Sequence, residues 1–252
     1  GDFTAVHYNP AGLAFATEPV FGLGLDLRLP RLGVERDRTA SADAPAIQYP
    51  ADNLGLHFGG VFPLGQPGGF PLSVGIGVYM PGRQVTRVSA YDPTVTQFYR
   101  FDATPDLLNI NLGLAAQVHP KLALGLGVRM LGAVNGAANL EIDLLSRRFL
   151  KEELESDVVA QVAVSAGIVY RPAASMSLAL SFRDEISFPY NVAVIADLVG
   201  LGSLETRMVG IGDYQPRVLS LGASWHPSTT LILTSDLVWS MWSQAPNPAA
   251  RF

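Results

Sequence analysis

Residues able to do chemistry are few in this chain, and their spacing serves no familiar reaction. Histidines stand at 7, 57, 119 and 226, scattered, with no pair at metal-binding spacing. His119 and His226 each precede a proline, where polar turn residues are expected. Cysteine is absent, which removes thiolate metal sites and disulfide scaffolds. Gly22-Leu23-Gly24-Leu25-Asp26 and Gly75-Ile76-Gly77 imitate a phosphate loop, but neither opens a helix, as a dinucleotide site requires. Arg183 and Glu185 share a parity and so point the same way. With Arg129 and Asp236 they are candidate interior charges, and Asp26 and Arg28 join them. A buried charge must be paired, so a structural ion-pair network accounts for these residues without a ligand. We expect no enzymatic activity, no metal and no cofactor.

The elements that must carry these residues are set by an unusual composition. The chain has 252 residues, 48% hydrophobic but only 15% charged, against about 25% charge in average soluble domains. So apolar a chain is not disordered, and a net charge of −5 gives no basic face for nucleic acid. A helical membrane span needs about 20 consecutive apolar residues. Candidates such as 122–131 and 219–225 are cut by Gly, Ser or Arg.

The apolar residues instead alternate. Leu72, Val74, Ile76, Val78 and Met80 oppose Ser73, Gly75, Gly77 and Tyr79; Leu122, Leu124, Leu126, Val128 and Met130 oppose Ala123, Gly125, Gly127 and Arg129. Period two is the strand signal. The same pattern marks 21–29, 54–62, 108–118, 161–170, 176–182, 217–225 and 231–239, which predicts nine strands. Alternation suits a soluble sandwich with its apolar face inward, or a membrane barrel with that face toward lipid. The opposite face decides between them. Lysine occurs only at 121 and 151, whereas soluble outer faces are rich in Lys and Glu. A face of Gly, Ser, Ala and Asn reads as a crowded lumen, so we expect an all-β transmembrane antiparallel up-and-down barrel.

Connection lengths agree. Short turns at Pro120, Pro172 and Pro227, and a glycine-rich one between Phe62 and Pro71, contrast with long connections at 82–106, 134–157 and 195–213. Short turns on one rim and long loops on the other are the bacterial outer-membrane pattern, and Phe62, Tyr79, Tyr170, Trp225, Trp239 and Trp242 suit its aromatic girdles. Within 140–156, Leu145, Phe149, Leu150 and Leu154 lie at helical spacing against charge, which predicts an amphipathic helix. Residues 195–208 form a second greasy loop through Ile195, Leu198, Val199, Leu201 and Leu204. Together with Leu144, these residues predict an apolar groove on the outer rim.

The start, Asp2-Phe3-Thr4-Ala5-Val6-His7-Tyr8-Asn9-Pro10-Ala11-Gly12, resembles the N-terminal plug of the FadL/TodX family of outer-membrane hydrophobic-compound transporters. Similar segments follow in order: Gly125-Leu126-Gly127, Phe182-Arg183-Asp184-Glu185 and Trp239-Ser240-Met241-Trp242-Ser243-Gln244. The resemblance implies a fourteen-strand barrel with an N-terminal hatch. It assigns 1–17 to part of the hatch and 18–252 to barrel strands one to nine, incomplete at the C-terminus. It implies passive transport of long-chain fatty acids or aromatic hydrocarbons. Capture would be in the loop groove, binding in the lumen, and exit sideways at a kinked third strand. Met80-Pro81-Gly82 would break that strand, and Asn9-Pro10-Ala11 of the hatch would touch the kink. The basic residue that meets a ligand carboxylate in relatives has no clear match, since Val134 and its neighbours occupy that region, and Arg129, Arg183 and Arg217 are the other candidates. The implied partners are outer-membrane lipid and hydrophobic small molecules, with the chain a monomer or part of a larger outer-membrane assembly. The alternatives are a non-transporting surface barrel and a soluble β-domain.

Overall fold

A computed structural model describes residues 2–31, 52–82, 108–143, 148–198 and 202–246. Each alternating stretch forms a strand: β1 Val20–Arg28, β2 Asn53–Pro63, β3 Leu72–Pro81, β4 Asn109–His119, β5 Leu122–Asp143, β6 Arg148–Ala173 and β7 Met176–Arg183. After these come β8 Ile186–Leu198, β9 Gly202–Gln215, β10 Val218–Trp225 and β11 Leu233–Ser240. Nine of them pair antiparallel in the order β1-β2-β3-β4-β5-β6-β7-β10-β11. The order is that of an up-and-down meander, and β1 and β11 form the two edges of an unclosed sheet, a partial barrel.

The remaining two strands correct the sequence reading. Residues 140–156 do not form an amphipathic helix: β5 runs on to Asp143, and β6 begins at Arg148 and pairs with it throughout. Phe149, Leu150 and Leu154 are strand residues, while Leu144 and Leu145 lie outside the described residues. Residues 195–208 are not a free loop either. Leu198 ends β8 and Leu204 lies in β9, with Val199 and Leu201 outside the described residues. The β8–β9 hairpin crosses to the far edge of β5, where Gly136–Ile142 pairs parallel with Val192–Leu198. Helical spacing in 145–154 lost to the β5 pairing, because cross-strand pairing along β6 from Arg148 outweighs a weak local propensity. The predicted connection at 82–106 lies almost wholly outside the described residues.

The two faces of the sheet differ as a membrane barrel requires. Leu23 is 76% exposed, Leu25 74%, Leu126 67% and Leu237 69%. The opposite face of the sheet carries small or polar residues, several of them buried: Ser73, Ala115, Ala123, Ser165 and Ser181. What buries them is the N-terminal segment. A short helix, α1 (Ala5–Tyr8), and a 3₁₀ turn, Pro10–Phe15, lie against this inward face. Val6, Ala11, Leu13 and Ala14 form its apolar core with Val61, Ala115, Ala123 and Val169.

Candidate functional site

The N-terminal segment and the inward face enclose the site. Asn9 begins the 3₁₀ turn: its backbone is extended, its side-chain oxygen accepts from the Ala11 N–H at 3.1 Å, and Pro10 takes the first turn position. This is N-capping with proline pre-set for the turn. The other end of the Asn9 amide donates to the carbonyls of Ile168 on β6 and Leu180 on β7, both at 3.3 Å. Glycine makes this approach feasible. A Cβ at Gly125 would fall on the Pro10–Ala11 backbone, and one at Gly167 on the Asn9 side chain. On β3, Gly75 and Gly77 lie under Leu13 and Val6 in the same way.

A second attachment is polar. The His7 Nε2 atom lies 2.9 Å from Arg183 Nη1 on β7, and since the guanidinium can only donate, the imidazole is the acceptor and neutral. Burial, then Arg183, then Arg129 push the His7 pKa down to about 4, against an opposing effect of Asn111.

Around His7 the segment reaches β1–β3 through side chains, Phe3 over Gly22 and Gly59 and Val6 over Gly77. A cavity of about 300 Å³ opens between Phe3, Thr4, His7 and Tyr8 on one side and β1–β4 on the other. Arg28, His57, Tyr79, Asn109 and Asn111 complete its wall. The His57 and Tyr79 rings lie 4.6 Å apart at 44°. Asn111 donates to Asn109 Oδ1 at 2.9 Å, and its own Oδ1 has no hydrogen-bond partner. A larger hollow of about 490 Å³ lies on the other face, among Leu72, Ala116, Leu124, Ile168 and Leu180.

No family model matches the sequence, and no curated protein matches it. Solved structures do. The toluene transporter TbuX of Ralstonia pickettii aligns over 98% of this chain and 72% of its own, with a TM-score of 0.52 and 17% identity. The fold is FadL/TodX-like. A FadL homologue of Pseudomonas aeruginosa aligns over 96% of this chain at TM-score 0.50 and 13% identity. A mutant TodX monoaromatic hydrocarbon channel aligns over 96% at TM-score 0.50 and 14% identity. This chain spans 64% and 66% of those last two proteins.

Within this FadL/TodX-like fold the predicted interior charges do not form one cluster. Arg129, 4% exposed, donates to Gln215 Oε1 at 2.8 Å and to the Asp184 carbonyl at 2.9 Å. Those partners are the two feet of the β8–β9 hairpin, so Arg129 ties the hairpin base to β5. Glu185 accepts from Tyr214 Oη at 3.0 Å, and Asp184 pairs with Arg217 at 2.8 Å. Asp236 is apart from all of these, beside Gly222 on β10. The network stitches the crossover rather than filling the lumen at random.

Asn9-Pro10-Ala11 was expected to touch the third strand. Its hydrogen bonds and glycine contacts run instead to β5, β6 and β7, and β3 meets Leu13 and Val6. The Asn9 amide holds the turn there, with its Nδ2 bonded to the Ile168 and Leu180 carbonyls and its Oδ1 capping the turn. Met80 and Pro81 keep their pairing with β2, and the Gly82 N–H donates to the Leu54 carbonyl at 2.6 Å. On the β4 side, Tyr79–Asn109 is the last pair among the described residues. His7, Asn109 and Asn111 were missed as site residues. The two asparagines share the parity of Gly113 and Ala115, a signal present in the sequence; His7 meets Arg183 across 176 positions, which no local pattern reveals.

Proposed function

We propose that this chain forms much of a passive outer-membrane channel for small hydrophobic molecules. The observation that carries the reading is the inverted polarity of the sheet: leucines more than two-thirds exposed on one face, and on the other a small-residue face sealed by the N-terminal segment. Such a surface is stable only with lipid against it. The segment acts as the hatch, and the cavity beside it is a station on the route. That cavity favours transport over the surface-module reading, which expects a filled lumen. We assign capture to the rim carried by β5–β6 and β8–β9, with Phe149, Leu150, Leu154, Leu198 and Leu204 as candidate groove residues from these strands, and Leu144, Leu145, Val199 and Leu201 as candidates from the sequence alone. Exit is lateral between β3 and β4 above Tyr79, the last described pair of the two strands, where Pro81 has no N–H to give the ladder.

The experiment is uptake of labelled toluene and labelled long-chain fatty acid by outer-membrane-bearing cells that lack their own hydrophobic-compound channel and express the full-length protein. Uptake of either above empty cells is expected, reduced several-fold by Pro81→Val. Neither ligand entering above background overturns the transport reading; equal uptake with Pro81→Val overturns the exit.

A further inference from the structure

The hollow on the outward face lies back to back with the hatch anchor. Its floor includes Gly125 and Gly167, the two glycines whose inward side carries Pro10–Ala11 and Asn9. The hatch accounts for those glycines. It does not account for Ala116 and Ala166, which line the hollow from the outward face. Across the sheet Ala116 pairs with Leu72 and Leu124, and Ala166 with Leu126 and Phe182. Each alanine is a gap in a row of large side chains, and the gaps and the glycine floor together make a trough of about 490 Å³. Apolar walls gain more dispersion contact from a chain that fills such a trough than a flat face gains from the bilayer.

The trough leads to a cation. Val118 lines its end, and the β4–β5 turn follows, with His119 paired to Leu122 and an exposed Lys121 between them. Lys121 makes no ion pair among the described residues. Arg171, on the next turn, is instead held over the Phe15 ring, 3.5 Å from its centroid. Neither turn, 117–122 or 170–177, has an acidic residue. Tyr170 pairs with Leu122 and is 44% exposed, an aromatic at the level a membrane interface favours.

We propose that this trough binds an anionic phospholipid, with one acyl chain lying over Gly125 and Gly167 between Ala116 and Ala166, and the headgroup against Lys121. An apolar channel ending at an unpaired lysine is complementary to a chain that ends in negative charge. Short turns face the periplasm, which fixes the leaflet that supplies the lipid. The proposal rests on this face meeting lipid and is independent of transport.

The test is native mass spectrometry of the full chain, released from detergent after incubation with equal amounts of phosphatidylglycerol and phosphatidylcholine carrying the same acyl chains. One retained lipid per chain is expected, with phosphatidylglycerol favoured about five-fold. Lys121→Gln should abolish the preference and keep retention. Ala116→Leu combined with Ala166→Leu fills the trough from the outward face and should abolish retention of either lipid. Equal retention of the two lipids by the unaltered chain overturns the proposal, and so does retention of neither. A preference that survives Lys121→Gln overturns it as well. Retention unchanged in the double variant marks ordinary boundary lipid and overturns the site, as does a lipid-free dimer, in which a second copy covers the trough. If the double variant fails to fold, Lys121→Gln, in an exposed turn, still decides. All these outcomes leave the transport reading standing. A chain that stays dispersed without detergent refutes the lipid-facing surface itself, and this site with it.

Discussion

The N-terminal segment meets the sheet in two opposite ways. Over β5–β7 it is pressed onto glycine, with Pro10 and Ala11 where a Cβ at Gly125 would stand and Asn9 bonded to two strand carbonyls. Over β1–β4 only side chains touch down, Phe3 over Gly22 and Gly59, Val6 and Leu13 over Gly75, and a cavity of about 300 Å³ opens beside them. On β1, a Cβ at Gly24 would meet nothing within 4 Å. One side is an anchor and the other is room. A plug that must hold and yet pass a ligand needs both. Their separation lets one side loosen while the other keeps its register.

The largest effect expected on this contrast comes from filling the anchor. Gly125→Val puts side-chain atoms into the Pro10–Ala11 backbone, which cannot move as a flexible side chain can. The segment should leave the lumen, seen as protease cleavage within 1–17 in folded, detergent-solubilised protein. Gly24→Val, into open space, should leave cleavage unchanged. Equal sensitivity in both variants would erase the distinction between anchor and room.

Acid comes next. His7 is held neutral at a pKa of about 4, against an ordinary value near 6.5. Between those values the docked segment binds fewer protons than the released one. Docking is therefore strongest above pH 6.5, weakens as pH falls toward 4, and is lower by about 3 kcal/mol once both forms are protonated, at about 1.4 kcal/mol per pKa unit. Protonation also turns the Nε2 acceptor into a donor facing Arg183. Cleavage within 1–17 should rise between pH 6.5 and 4 in the unaltered chain and stay flat across that range in His7→Gln.

Asn9→Ala removes the cap and both carbonyl bonds, and should cost about 1–2 kcal/mol of docking, measured by the same cleavage at neutral pH. The smallest effect should be Tyr79→Leu on the open side. It takes one ring from the cavity wall and should leave docking within about 0.5 kcal/mol, while weakening binding of an aromatic ligand.

The anchor was more legible in the sequence than the room. Alternation in 72–80 and 122–130 placed Gly75, Gly77, Gly125 and Gly127 on one face, and a glycine face implies something pressed against it. The strands followed from the same pattern, with β1–β4, β7, β10 and β11 matching to within two residues at either end. The β8–β9 hairpin escaped because Pro189 breaks a strand pattern. The structure accommodates it at a register shift between Phe188 and Pro189. The extension of β5 and β6 escaped because their charged, helix-like sequence is held by cross-strand partners. The cavity escaped because it is made by the N-terminal segment meeting four strands, and His7, Tyr79 and Asn111 carry no shared local spacing.

The account turns on which face of the sheet meets lipid. Because the chain has no cysteine, single cysteines at Leu126 and at Ala123, three positions apart on β5 and on opposite faces, can each carry a fluorophore in liposome-reconstituted protein. Nitroxide-labelled lipid should quench the probe at Leu126, which is 67% exposed, and leave the probe at Ala123, which is 0% exposed, unquenched. Equal quenching at both, or quenching at Ala123 alone, would contradict the membrane reading.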